Sequence, residues 1–262
     1  MPEGPEVRIT TENINKKFKG TTLKKIDILS GRYKKHGPPK GWDAFTKDLP
    51  MKIQKVENKG KFIYMVMDDG NGDKSIWITL GLTGELSDQK DEHNHIIFET
   101  SNGPFYMNDQ RNFGTIIFSM NKKELEKKLA TLGPDPEKTD ISSTEFQKII
   151  RKAKGDQIIA EVLTDQKRLA GIGNYLRAEI LYDAKISPFR KIDKLSDSDI
   201  ERIRKSMYKV LKGTYDYQKK HGLITNPFQV YRKKVTPKGE EVMTEKIGSQ
   251  DRSVWYVPTV QK

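Results

Sequence analysis

The chain opens Met1-Pro2-Glu3-Gly4-Pro5-Glu6, and these residue types in this order can do chemistry. Loss of an initiator Met1 before a small residue leaves Pro2 as the terminus, with its ring nitrogen a free secondary amine. An α-amino group has a pKa of about 7.7–8.0, against about 10.4 for a lysine. A usable fraction is therefore unprotonated near neutral pH, and in that form it attacks a carbonyl-level carbon to give an iminium. Glu3 stands beside it as an acid or base, and Glu6 closes the acidic start. The same residues also read as the frayed start of a proline-delimited helix. On these residues alone both readings stand.

Three further stretches carry chemistry-bearing spacing. Leu163-Thr164-Asp165-Gln166 leads through Gly171-Ile172-Gly173-Asn174-Tyr175, a pattern of helix, two-glycine loop and new helix capped by Asn174. Backbone N–H groups at such a start form a phosphate seat, and an ordinary glycine-rich connection has the same look. Lys59-Gly60-Lys61-Phe62 puts two cations at a tight turn, open to a phosphate or simply solvated. At the C-terminus, Arg252 enters the aromatic and β-branched run Ser253-Val254-Trp255-Tyr256-Val257, which continues to Gln261. In isolation that run is an edge hairpin.

The elements that must position these residues follow from hydrophobic period. Glu6–Phe18 reads as a helix, with Val7, Ile14 and Phe18 on one face. Period-two strands are expected at Leu23–Leu29, Lys52–Glu57, Lys61–Met67, Ser75–Leu80, His95–Glu99, Phe105–Asn108 and Thr115–Met120. Turns such as Asp69-Gly70-Asn71-Gly72 and Asn102-Gly103 separate them. Short strands without alternating helices point to a sandwich or barrel. Helical period returns at Lys122–Leu132, and Gly133-Pro134-Asp135-Pro136 then breaks the chain. Helices follow at Ser143–Lys154, Gln157–Leu163, Asn174–Ala184 and Asp197–Lys220, and strands at Gln229–Arg232, Glu241–Glu245 and Ser253–Val257. The organisation expected is a strand-rich domain over 1–132, a linker at 133–139, a helical domain over 140–225 and a terminal hairpin over 226–262.

Composition narrows the partners. The 262 residues are 34% hydrophobic and 32% charged, with a formal net charge of +12. That balance favours a polyanion, nucleic acid first, although a lysine-rich composition gives the same sign. No apolar run is long enough to span a bilayer and no signal-peptide pattern is present. The chain has no cysteine, which removes disulfides, thiol nucleophiles and thiolate metal sites, and four scattered histidines do not make a zinc cage.

Taken together and in order, these stretches resemble the family of formamidopyrimidine-DNA glycosylase and endonuclease VIII, bifunctional base-excision repair enzymes. Pro2-Glu3-Gly4-Pro5-Glu6 is similar to the family's catalytic start, and Gly4 is closer to the endonuclease VIII branch. Gly60-Lys61 is similar to its catalytic lysine turn, Leu132-Gly133-Pro134-Asp135-Pro136 to its interdomain signature, and Asp165 to Tyr175 to its helix–two-turn–helix element. Arg252 and Gln261 are similar to the ends of its C-terminal finger. Most members carry four cysteines there. Here Val257 and Val260 stand where the second pair would be, so the resemblance is to the zincless finger of Nei-like enzymes, with no metal and no cofactor.

The resemblance implies an α+β fold: an N-terminal β-sandwich with its helix, then a helical domain with helix–two-turn–helix and a zincless-finger β-hairpin. It implies a monomer acting on double-stranded DNA that carries oxidised bases or abasic sites, not on membranes, and intracellular, wherever DNA is held. Pro2 would attack C1′ and form a Schiff base, Glu3 would protonate the opening sugar, and Glu6 would assist or hold geometry. β- and δ-elimination would then cut the strand. Lys61, Gly173, Asn174 and Arg252 would grip flanking phosphates. Leu82, Arg111 and Phe113 would fill the gap left by a flipped base, where the bland alternative is loop packing. Oxidised pyrimidines such as thymine glycol, and hydantoins, are the implied lesions. The alternative from another class is a non-catalytic nucleic-acid-binding helix–two-turn–helix protein, for which the Pro2-Glu3 start has no use.

Overall fold

The computed structural model describes residues 2–70, 73–222, 227–248 and 252–262. Asn71 and Gly72 of one expected turn, and the expected boundary at 225/226, lie outside them. The chain divides into two compact units. The first holds Pro2 and Glu6–Thr131, and the second holds Glu3–Pro5 and Leu132–Lys262.

Helix α1 runs Gly4–Phe18, and from Glu6 onward it belongs to the first unit. Val7, Ile14 and Phe18 are buried on its inner face, as the spacing predicts. Eight strands follow: β1 Thr22–Ile28, β2 Met51–Lys59, β3 Phe62–Asp68, β4 Ser75–Thr79, β5 Gly84–Ser87, β6 Asn94–Thr100, β7 Gly103–Asp109 and β8 Thr115–Ser119. All pairings are antiparallel, in the order β5-β7-β6-β1-β2-β3-β4-β8. β1 and β2 meet through two register pairs, Thr22↔Lys52 and Leu23↔Met51. The sheet therefore works as two four-stranded halves, and both halves contribute to one apolar cluster with α1. Phe98 and Phe105 stack there at 4.5 Å, with Phe18 tilted onto Phe105 at 4.8 Å. Rings in these offsets add to simple burial.

Two short helices, α2 Arg32–His36 and α3 Trp42–Lys47, occupy a stretch where no element was expected, because neither is long enough to show a period. β5 was also unexpected, since Gly84-Glu85-Leu86-Ser87 has a single large apolar residue. α4, Lys122–Ala130, closes the unit with Asn121 as its N-cap.

The second unit contains α5 Ser143–Arg151, α6 Ile159–Thr164, α7 Asn174–Ala184 and α8 Asp197–His221, then β9 Met243–Ile247 and β10 Arg252–Tyr256. α7 is buried nearly all round, the pattern of a central helix. Ser196 and Asp199 form a reciprocal capping box at the start of α8. The strand expected at Gln229–Arg232 is a turn: the N–H groups of Gln229, Val230 and Tyr231 donate to the Glu179 carboxylate at 2.9–3.0 Å, and Arg232 has φ +57. A carboxylate has taken the donors a sheet would have used. No helix among the described residues is long and apolar enough to cross a membrane.

Candidate active site

In the second unit, Glu3 is 1% exposed and lies across the start of α7. Its Oε2 accepts from the N–H of Gly173 at 2.7 Å and Leu176 at 3.2 Å, and its Oε1 accepts from the N–H of Tyr175 at 2.9 Å. The Gly4 N–H donates to the Gly171 carbonyl at 3.0 Å. A helix start offers unpaired N–H groups and a positive dipole end, and this one is closed by the chain's own carboxylate. The expected phosphate seat is corrected accordingly: the Gly173 N–H is engaged by Glu3. Gly173 is also the N-cap, with Asn174 the first helical residue, so Asn174 does not cap the helix.

Asn174 instead faces a buried guanidinium. Arg177, 1% exposed, donates from Nη2 to Asn174 Oδ1 and, at 2.9 Å, to the carbonyl of Ser253 in β10. Burial lowers its pKa to about 10, with Glu3 opposing the shift and Arg252 adding to it. Arg177 thus remains a cation at neutral pH and links the helix residue Asn174 to the strand that carries the exposed Arg252. Sequence reasoning missed Arg177 and Glu179. The available signal was a pair of charges inside an otherwise apolar helix, which are costly to bury unless hydrogen-bonded. Burial pushes the Glu179 carboxyl upward, and its three backbone donors oppose that.

The terminal hairpin packs on this unit. Val257 is buried with Ala178, Tyr182, Val230 and Val242, and Trp255 and Val260 pack against them. Trp255 meets Tyr231 edge-on at 4.6 Å. Gln261 accepts from the Val257 N–H at 2.7 Å and donates to the Ile186 carbonyl at 3.0 Å. Met243 is 42% exposed, and Tyr256 packs edge-on against Phe189.

Zinc does not fit here. Apolar side chains fill the interior where thiolates would converge, and the chain has no cysteine to supply one. Elemental analysis of purified protein should find no stoichiometric zinc, and strong chelators should leave activity intact. Trp255→Ala should cost about 2 kcal/mol or more of stability, read by thermal melting. Activity lost to chelator and restored by zinc contradicts this packing-only hairpin.

The first unit positions the other candidates. Pro2 is half-buried. Glu6 is 9% exposed in the first turn of α1. Gly60 and Lys61 form a two-residue turn between β2 and β3, closed by the pair Lys59↔Phe62. Gly60 has φ +54, which glycine adopts without strain, and Asn58 Nδ2 donates to its carbonyl at 2.9 Å. Lys61 sits at the turn's tip, while Lys59 turns back to the Leu129 carbonyl at 3.0 Å. Leu82 lies in the loop between β4 and β5, and Arg111 and Phe113 lie in the loop between β7 and β8. The two loops are adjacent: a Cβ at Gly81 would stand 2.8 Å from the Phe113 carbonyl carbon. Phe113 is 52% exposed, with the Arg111 guanidinium 5.0 Å from its ring centre.

Models of the formamidopyrimidine-DNA glycosylase family match in three parts: the N-terminal domain at residues 1–116, the H2TH domain at 132–223 and the C-terminal domain at 225–262. The chain is 30% identical to a formamidopyrimidine-DNA glycosylase of Carboxydothermus hydrogenoformans over 83% of this chain and 79% of the relative. It is 28% identical to one of Prochlorococcus marinus over the full length of both. Its fold is similar to a crystal structure of the Lactococcus lactis enzyme non-covalently bound to DNA containing an abasic site, with TM-score 0.84, 23% identity and 99% of each chain covered.

Proposed function

The chain belongs to the formamidopyrimidine-DNA glycosylase family, and on that premise we propose that it is a DNA glycosylase and abasic-site lyase of base excision repair in which Pro2 is the nucleophile. The observation that carries this is the Glu3 carboxylate fixed by three N–H groups at the start of α7. It fixes the carboxylate of the residue that follows Pro2 in the chain, where a frayed start would leave it loose. The Pro2 nitrogen attacks C1′ of a flipped nucleotide, the N-glycosidic bond breaks, and the base leaves with a proton. Glu3 supplies the proton that opens the sugar. The resulting iminium acidifies the C2′ hydrogens, so elimination breaks the C3′–O bond and then the C5′–O bond. Residues 1–132 carry the chemistry, and 140–225 with 226–262 carry the DNA grip. Flipping costs a few kcal/mol, less for a damaged base, and Leu82, Arg111 and Phe113 refill the stack. Gly4 and the cysteine-free hairpin favour the endonuclease VIII-like branch, and with it oxidised pyrimidines and hydantoins. Incubation with a thymine glycol duplex should release the base and leave phosphates on both sides of the gap. An intact strand under those conditions contradicts the assignment.

Phosphate contacts are tested separately. The +12 charge makes affinity for a stable abasic analogue fall steeply with salt. Lys61→Ala should lower the log–log salt slope by about one. Asn174→Ala should weaken binding with the slope unchanged, because its amide is neutral and Arg177 already holds its oxygen. Arg252→Ala should weaken binding and leave the melting temperature near wild type, since the side chain is exposed. Unchanged affinity in all three removes them from the DNA-facing surface.

A further inference from the structure

β4 to β5 and β7 to β8 are the two connections that carry the chain between the outer edges of the eight-stranded order. They leave from paired strand ends, Thr79↔Thr115 and Gly84↔Asp109. Both therefore lie at the same end of the unit, and one closed set of hydrogen bonds joins them. The Thr83 hydroxyl donates to Asp109 Oδ1 at 2.6 Å, and Thr83 Oγ1 accepts from the Arg111 N–H at 3.0 Å. Asp109 Oδ2 accepts from the Gly114 N–H at 2.5 Å. The Asp109 carbonyl accepts from the Asn112 N–H at 2.9 Å, and it also lies 2.8 Å from His95 Nε2. Asp109 is 1% exposed, so these bonds form out of water, where hydrogen bonds to a charged group are strongest. The backbones touch as well. A Cβ at Gly114 would stand 3.0 Å from Asp109 Oδ2 and 3.1 Å from the Thr79 carbonyl oxygen.

We propose that Thr83 and Asp109 are positioning residues: they clasp the Leu82 loop to the Arg111–Phe113 loop, so that the three side chains enter DNA as one preformed wedge. This rests on the reading of those side chains as fillers of the gap left by a flipped base. An exposed Phe113 on a backbone this tightly fastened is held ready for a partner, because fixing the loops beforehand removes an ordering cost from the binding step. Thr83 has one hydroxyl hydrogen and it goes to Asp109. Its lone pair takes the Arg111 N–H. Thr83→Val keeps the shape and removes both bonds, whereas Thr83→Ser keeps both.

The test is a cycle of variants on a thymine glycol duplex, with 2-aminopurine beside the lesion reporting insertion. Thr83→Val should lower single-turnover excision roughly tenfold or more, the loss that follows from removing a bond to a buried charge, and should lower the insertion signal with it. Thr83→Ser should restore both. β-Elimination at an abasic site in single-stranded DNA, which has no duplex stack to refill, should stay near wild type in Thr83→Val. In the Leu82→Ala/Phe113→Ala background, Thr83→Val should add little, since it acts through the residues already removed. If Leu82→Ala/Phe113→Ala itself excises at the wild-type rate, the gap-filling reading fails. If that pair loses activity while Thr83→Val does not, the clasp fails. It fails also if Thr83→Val loses single-strand elimination or adds its full effect in the paired background, because Thr83 would then hold the whole domain rather than the wedge.

Discussion

Protein carrying a blocked N-terminus, through a retained Met1 or an uncleaved tag, is expected to lose both base excision and strand cutting. Acylation turns the Pro2 nitrogen into an amide, whose lone pair is delocalised and no longer attacks carbon. Acid–base groups and binding contacts remain, so the loss isolates the nucleophile. It should reach about three orders of magnitude or more under single-turnover conditions. Pro2→Gly keeps an α-amine but makes it primary, and should weaken activity without abolishing it. A blocked enzyme that cuts at the wild-type rate removes Pro2 from the mechanism.

Glu3→Gln is expected to have the second-largest effect, and its structural setting makes the result diagnostic. Both Glu3 oxygens accept backbone N–H groups. Glutamine offers one oxygen and one NH2, so a donor would face a donor at the start of α7. A buried N–H left unpaired costs about 1–3 kcal/mol, visible as a lower melting temperature. Loss of the proton donor should lower base excision about 10²- to 10⁴-fold. Cutting at a pre-formed abasic site needs no base departure and should survive in part. Equal loss of the two activities means that Glu3 does not act mainly when the base leaves.

Much of the fold was legible because its signals are local. Val7, Ile14 and Phe18 give α1 its period, and Gly60 marks a two-residue turn in the bare sequence. The terminal Pro2-Glu3 pair, the Gly171-Ile172-Gly173-Asn174 loop and the Arg252 hairpin were likewise readable as motifs. What sequence could not show is which donor meets which acceptor. The N–H groups around Gly-Ile-Gly looked open to phosphate, yet Glu3 takes those of Gly173, Tyr175 and Leu176 from about 170 residues away along the chain. Gln229–Arg232 has strand-like residue types, but its donors serve Glu179. Val242 and Met243 are adjacent and similar in polarity, and only packing against Ala178 and Tyr182 decides that the valine is inside. Thr83 in its loop and Asp109 at the end of β7 look ordinary until the topology places the two connections side by side.

The most direct measurement is borohydride reduction during turnover of a thymine glycol duplex, followed by proteolysis and mass spectrometry of the cross-linked peptide. A DNA remnant on the N-terminal peptide, attached at the Pro2 nitrogen, is the expected result. Attachment at Lys61 or any other lysine, or no adduct from an enzyme that cuts the strand, contradicts it.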